Sequence, residues 1–559
     1  MTLRQTLIAA AAVQLAGLLA AGWWFREALN TDAVAYLRLA DYYAQGSWSL
    51  ALNGYWGPLL SWLLAPLRVL DCPPWLAARL VMGLSAVFFF VCCNQWLLTL
   101  PEEESWPKAG VWTAALISIP WSVAQITPDL LLAGCLALVW MALYRARQLS
   151  SPRWSLAAGA LAGLAYLAKA VALPVTLLTA GLWLLGNPLQ RKFFKSNAGL
   201  FAAFLVGLAI VIAPWVSLLT AHYGQLTLTR SARINHALAG PPDVERYHPT
   251  FRTFHAPPPG RLTTWEDPSE MSYATWQPWA NLPSAWHQCK VILKNLALIQ
   301  LMLTTLFLDW PVVLGWWWWS RRNPLTVSIP PPLRLAACAL GALMLIYAPN
   351  YLRLGDQRYF YAAFPLLWLT GVWMARGFGA LLPEAKRWLH HALPLSFVIP
   401  ACALLFWWLP PKRAAGQIAL QLAEELRATN LRGPMAGSAL QPGGRVGLMT
   451  AYCLNLPWLG DQPTATPEAC LASGAELFLV NQNDPLAEAL QRHPAFREVS
   501  PLPSRKSPLP VVVFHGPPQP PPQGNPWAGA KHNTQAAPMP TASPRRAGHH
   551  WPTKKVLVR

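Results

Sequence analysis

The sequence predicts a polytopic α-helical membrane protein of about eleven transmembrane helices with a small C-terminal extracytoplasmic α/β domain, and three observations predict that class. The 559 residues are 54% hydrophobic and only 12% charged, with 31 tryptophans, which is too apolar for a soluble chain of this length. Apolar stretches near the roughly 20 residues needed to cross a hydrocarbon core of about 30 Å recur throughout residues 1–410. Beyond residue 411 the composition turns soluble, and from Pro517 to Arg559 it becomes Pro-rich and basic.

The apolar stretches fall at 5–25, 76–100, 109–126, 129–145, 155–168, 170–186, 197–220, 298–319, 333–348, 359–375 and 391–410. The first could be mistaken for a secretory signal, because Ala20-Ala21-Gly22 imitates a cleavage site; Trp23, Trp24 and Phe25 directly after it fit an interfacial anchor on a retained helix. Lys and Arg accumulate on the cytoplasmic side of span ends. With the N-terminus cytoplasmic, that series runs Arg4, Lys108, Arg145, Arg147, Arg153, Arg191, Lys192, Lys195, Arg321, Arg322, Arg376, Lys386 and Arg387. Glu102 to Glu104 run against it, but acids weigh little in this rule. The net charge of +19 is therefore a topological signal rather than a nucleic-acid footprint. Membrane lipid is the expected partner and nucleic acid is not.

An odd number of spans places the C-terminal portion outside, with two long loops at 26–75 and 221–297. In the first loop, Ala35, Leu37, Leu39 and Ala40 interleave with Tyr36, Tyr42 and Tyr43 in a helix that Gly46 ends. The second is rich in Pro, His, Arg and Trp without a steady period, as in a long ordered flap. In 411–516, Ala414 to Ala428 and Leu486 to Gln491 have helical spacing, while Arg445 to Met449, Leu477 to Asn481 and Val511 to Phe514 are expected as strands. The tail, 517–559, lacks acids and is expected to be disordered. The nine cysteines show no metal-ligand spacing, and Cys453 with Cys470 is the single pair suited to a disulfide.

Polar residues that could carry chemistry cluster beside the spans. Asp32 follows the first span at the membrane–water boundary, where a carboxylate could take a proton from an attacking hydroxyl or amine; from spacing alone, Thr31 or Asp32 capping the helix beginning at Ala33 is the simpler explanation. Tyr36, Tyr55 and Trp56 could line a carbohydrate or lipid pocket, though aromatics gather at interfaces regardless. Thr127-Pro128-Asp129 has the makings of a helix start, and capping is its simpler explanation. Lys169, alone between two apolar runs, is a snorkelling lysine or a phosphate contact. Arg353, Asp356 and Arg358 share a short outer loop before Tyr359, where guanidinium groups run against the positive-inside trend and could hold a lipid phosphate. His248, His255, Glu266, Asp267 and His287 in the long loop have no metal spacing. Trp316 to Trp319 fit an interfacial belt.

The order Asp32, Tyr36, Gly57-Pro58-Leu59, Pro128-Asp129, Gly163-Leu164-Ala165 to Lys169, and Arg358-Tyr359 to Pro365 resembles bacterial relatives of protein O-mannosyltransferases and lipid A aminoarabinose transferases. These are family 39-like membrane glycosyltransferases of the GT-C class. The resemblance spans residues 1–410, with a small outer domain following. It implies a polyprenyl-phosphate sugar donor, an extracytoplasmic acceptor, and an inverting displacement at the anomeric carbon, in the inner membrane of a bacterium. By the same likeness Asp32 is the catalytic base, Asp129 faces the active site, and Lys169 and Arg358 approach the donor phosphate; Arg353 joins them as a phosphate-binding candidate from its place in the same short loop. Tyr36, Tyr55, Trp56, Glu266 and Tyr359 are the substrate-pocket candidates. The family commonly carries an acidic pair in the first loop, whereas Ala33 follows Asp32 here, so no metal and no cofactor is expected. Two rivals stand: a lipid or solute transporter, disfavoured because no inverted pair of broken helices is found, and a non-catalytic envelope assembly protein of the same fold.

Overall fold

A computed structural model describes residues 1–98, 105–186, 191–322, 330–353, 356–429, 431–438, 445–499 and 511–517. Glu102 to Glu104 and nearly all of the basic tail lie outside these residues, as do the side chains of Arg191, Lys192, Lys195, Arg321 and Lys386. Residues Met1–Gln519 form one unit, and the second, Pro520–Arg559, falls outside the described set.

The chain opens with α1 (Leu3–Trp24), then three shorter helices, α2 (Thr31–Ala44), α3 (Trp48–Ala51) and α4 (Leu59–Val69). Next come α5 (Pro74–Leu97), α6 (Ser105–Ala124), α7 (Asp129–Gln148) and α8 (Pro152–Ala168), with α9 (Ala172–Ala180) running into a π turn at Gly181–Leu185. Helix α10 (Arg191–Tyr223) leads to a long loop holding α11 (Ser231–Leu238). Then follow α12 (Leu282–Leu306), α13 (Trp310–Arg322), α14 (Pro331–Tyr347), α15 (Phe364–Leu381), α16 (Ala385–Ala403) and α17 (Leu409–Ala428). The last portion interleaves α18 (Val446–Leu454), α19 (Pro467–Ala472) and α20 (Pro485–Arg492) with β1 (Met435–Gly437), β2 (Trp458–Asp461), β3 (Leu477–Asn481), β4 (Arg497–Glu498) and β5 (Val511–His515).

Among the described residues six helices are long and apolar enough to cross a membrane: Leu3–Trp24, Pro74–Leu97, Asp129–Gln148, Asn197–Tyr223, Leu282–Leu306 and Arg387–Ala428. Shorter apolar helices supplement them, and the chain is a multi-pass membrane protein. The stretch expected as one span at 298–319 is instead two helices. Pro311 lacks the amide that would bond the Phe307 carbonyl, and its ring would collide with it; Phe307 is accordingly extended, and Leu308 N donates to Ser396 O at 3.0 Å. The long loop also ends earlier than 297, because Asn281 caps α12 by accepting from Ser284 N at 2.8 Å. At the other end, the stretch from Tyr359 begins as a 3-10 segment, Gln357–Ala363, before Pro365 starts α15.

Helix α16 runs through a π turn at Leu404–Trp408 directly into α17, so no break in the backbone marks the expected boundary at 410. The five strands order as β2-β1-β3-β5-β4, with β1 parallel to β2 and β3, and β5 antiparallel to β3 and β4. Arg445 to Met449, expected as a strand, belongs to α18. A Cβ at Gly447 would collide with the Trp458 ring, and this close packing of α18 against β2 overrides the strand reading of a short apolar run. Cys453 and Cys470 are free thiols, not a disulfide: Cys453 packs with Met435 and Leu479 on one face of the sheet, Cys470 with Phe478 and Val480 on the other. Of the four consecutive tryptophans, Trp316 is buried against Trp373 and Phe378, while Trp317 and Trp318 face outward.

Helices α8 and α10 pack with their backbones in close approach. A Cβ at Gly159 would strike the Phe204 carbonyl and one at Gly207 the Leu156 carbonyl, and Ser155 Oγ donates to Leu200 O at 2.6 Å. Small residues let backbones approach where no hydrophobic force drives helices together. Gly207→Leu is expected to destabilise the protein by about 1–3 kcal/mol, the usual size for overpacking. Gly199→Leu on the same helix, where nothing lies within 4 Å, should leave the melting midpoint in detergent unchanged.

Candidate active site

Four separated segments bring ionisable side chains to one end of the helices. Asp32 sits in the first turn of α2, whose cap position is Asn30. Neither Thr31 nor Asp32 caps. Asn30 instead clasps the turn before α7, its Oδ1 accepting from Ile126 N at 2.8 Å. Asp32 Oδ2 accepts from Arg358 Nη1 at 2.8 Å, and Arg358 Nε lies 3.9 Å from Asp129 Oδ2 and 3.5 Å from Asp356 Oδ1. Asp129 makes no capping bond: Thr127 Oγ1 donates to its Oδ2 at 2.8 Å and Lys169 Nζ to its Oδ1 at 2.6 Å. Capping, the simpler explanation for Asp129, is therefore corrected; its carboxylate turns inward to two cations.

Lys169 occupies the extended residue between α8 and α9. The Gly57-Pro58 turn lies against the Leu167 and Ala168 carbonyls so closely that a Cβ at Gly57 would collide with both. Lys169 Nζ also sits 4.2 Å above the centre of the Tyr359 ring, a cation–π contact. An aromatic wall adjoins the cluster. Tyr36 meets Trp56 edge-on at 5.2 Å, Trp56 meets Trp265 at 5.4 Å, and Tyr55 meets Trp56 at 4.6 Å. Burial, reinforced by the Asp32 charge, holds the Tyr36 and Tyr55 hydroxyls well above the ordinary range, so both remain proton donors.

The structure thus brings together Asp32, Asp129, Lys169, Arg358 and Tyr359, with Tyr36, Tyr55 and Trp56 beside them. Arg353 is exposed and stands apart. Glu266 is corrected as a pocket residue: it has no exposed surface, accepts from Tyr42 at 2.6 Å and from the amides of Leu262 and Thr263, and lies 3.4 Å from Arg38. It fastens the loop between α10 and α12 to α2. Lys412, at the start of α17, was not singled out by the sequence because Pro410-Pro411-Lys412-Arg413 reads as the start of soluble chain. It is buried, donates to Ala124 O at 3.1 Å and lies over Trp408; with Arg79 on Val123 O it holds the carbonyl end of α6, the favoured place for cations. Among the described residues no three His, Cys, Asp or Glu side chains gather to hold a metal. His248, Glu266, Asp267 and His287 are each engaged elsewhere.

Residues 58–217 match the family model of the dolichyl-phosphate-mannose-protein mannosyltransferases, a stretch that includes Asp129 and Lys169 and excludes Asp32 and Arg358. The fold is that of the GT-C membrane glycosyltransferases. Among solved structures the chain is similar to ArnT from Cupriavidus metallidurans bound to undecaprenyl phosphate, with TM-score 0.55, 15% identity, and coverage of 92% of this chain and 99% of that one. It is similar also to the apo state of the same protein, with TM-score 0.53, 15% identity, and coverage of 91% and 99%. No curated protein matches the chain by sequence.

Two outcomes follow from the geometry. Burial, with Arg445 adding to it and Asp32 opposing, lowers His248 to about 4. Unfolded chain therefore binds this proton first as pH falls, so the contribution is complete above about 6.5 and lost on descent toward 4. His248→Gln is expected to flatten thermal stability across that window. Glu266→Ala would leave the half-buried Arg38 with only the more distant Asp41 carboxylate, 3.9 Å away, at a cost of about 1–3 kcal/mol, and limited proteolysis should then cut the loop at 224–281 faster than in wild type.

Proposed function

We propose that the protein is a membrane glycosyltransferase that moves a sugar from a polyprenyl-phosphate donor to an extracytoplasmic acceptor by inverting displacement. The observation that carries this reading is Arg358, placed between the Asp32 and Asp129 carboxylates, with Lys169 on the far side of Asp129. Two cations and a nearby carboxylate at a membrane-helix end are the parts such a transfer requires. The ArnT structure with undecaprenyl phosphate supports a lipid-phosphate donor.

In the proposed step the acceptor oxygen gives its proton to Asp32 and bonds to the anomeric carbon, while the bond from that carbon to the phosphate oxygen breaks. Polyprenyl phosphate departs with the electron pair, its charge met by Arg358 and Lys169. Arg358 would exchange Asp32 for the incoming phosphate, releasing the carboxylate to act as base. Asp129 keeps Lys169 and Arg358 aimed at the phosphate. Phosphate leaves without a strong acid, so the proposed step uses no cofactor. We place the protein in a bacterial plasma membrane, N-terminus cytoplasmic, with the cluster and the C-terminal sheet outside.

The test is release of labelled sugar from a panel of polyprenyl-phosphate sugars, with an envelope extract supplying acceptor. Asp32→Asn is expected to lower turnover at least about a hundredfold, the size of a lost general base, with donor binding retained. Equal turnover in both proteins would remove Asp32 from the mechanism. Substrate crossing proteoliposomes without bond cleavage would favour a transporter.

A further inference from the structure

We propose that the outer loop contains a separate binding site for a neutral polyhydroxyl ligand, a sugar unit of a glycan acceptor. The site is a cavity of about 270 Å³ lined by Arg246, Tyr247, Thr253, His255, Ser272 and Tyr273 among others. That volume lies just below the usual range of drug-sized ligand pockets and suits one sugar ring rather than a lipid tail.

The chemistry of the lining selects the ligand. Arg246 is fully engaged, donating to the carbonyls of Ala237, Pro241 and Ala274 and to Asp243. Glu245 and Arg252 lie 3.8 Å apart. With Arg246 engaged by the protein and the exposed Glu245 carboxylate on the lining, the cavity does not favour an anion. It offers two tyrosine rings, the hydroxyls of Ser272 and Thr253, and the His255 ring. Thr253 Oγ1 donates to Pro249 O and retains lone pairs for a ligand. Aromatic faces beside neutral hydroxyls suit a pyranose, whose C–H face packs on a ring while its hydroxyls find partners at the edge.

Position links this cavity to the ionic cluster. The Tyr273 hydroxyl lies 3.1 Å from His248 Nδ1. The His248 ring is 6.4 Å from Tyr55 and 5.0 Å from Trp265. Tyr55 and Trp265 both pack on Trp56, and Trp56 on Tyr36, one helical turn from Asp32 on α2. A sugar here would sit next to, not at, the reacting hydroxyl. The acceptor role rests on the transferase reading, whereas the binding site stands without it.

The test uses full-length protein in detergent, with methyl glycosides of mannose, glucose and N-acetylglucosamine as probes and mannose 1-phosphate and a short neutral peptide as comparators, followed by saturation-transfer NMR. At least one methyl glycoside is expected to bind saturably, with Kd raised about tenfold or more in Tyr247→Ala and several-fold in the conservative Tyr273→Phe. Both variants should keep the thermal shift given by undecaprenyl phosphate, which also shows that they fold. Arg358→Gln should lose that shift and keep the glycoside signal. The proposal fails if no methyl glycoside binds, if a comparator binds more tightly, or if both tyrosine variants match wild type. A lost lipid-phosphate shift in wild type beside an intact glycoside signal would sink the transferase reading alone.

Discussion

The ionic cluster is arranged around one constraint: a charge held away from water must have groups of opposite charge or opposing dipole beside it. Removing a charge from water costs several kcal/mol per ion, recovered only when partners and geometry are good. Arg358 meets that condition with Asp32, Asp129 and Asp356, and Asp129 meets it in turn with Lys169. Those five residues come from α2, α7, the break between α8 and α9, and the 3-10 entry to α15. The pairing therefore fixes the relative height of segments that no short loop connects. Lys412 and Arg79 do the same service for the carbonyl end of α6, and Asn30 ties the following turn to the residues just before Asp32.

A second layer closes over the first. The long loop between α10 and α12 is held by Glu266, whose carboxylate answers Arg38, Tyr42 and two backbone amides, and by Asn53 Nδ2, which donates to the Glu266 carbonyl at 2.5 Å. From the other side the sheet presses on this loop. Gly460, with φ +126, lies so near the Thr250 and Thr253 carbonyls that a side chain there would have no room, and Trp458 N donates to Leu262 O at 2.7 Å. Loop, sheet and α2 share one apolar cluster that includes Tyr36, Trp265, Leu422 and Trp458. The aromatic wall beside the ions draws its rings from α2, from the turn after α3 and from this loop, and the sheet packs behind Trp265 through the same cluster.

The sequence made much of this legible where the signal is local. Apolar length marked the helices, and charge bias marked which loops should share a side. Asp32, Lys169 and Arg358 stood out because an ionisable residue beside a span is expensive to place without a partner. Asp129 was visible but had an adequate local explanation as a helix-start residue, and only its contacts with Lys169 and Arg358 displace it. Glu266 was misjudged for the opposite reason: a polar residue in a long loop suggests a pocket, yet its partner Arg38 lies far away in sequence. Pro311 carried the information that splits α12 from α13, masked by the hydrophobicity around it. The Arg445 to Met449 segment took helical form because Gly447 allows α18 onto Trp458.

Composition and periodicity by themselves determined that this chain is a multi-pass membrane protein, that its polar residues collect beside the spans, and that a soluble portion follows them, since burial in lipid imposes length and apolarity residue by residue. Which carboxylate faces which cation was decided by tertiary structure alone. Ion pairing depends on distances of a few ångströms between residues up to 326 positions apart, as Asp32 and Arg358 are, and no local pattern encodes such a distance.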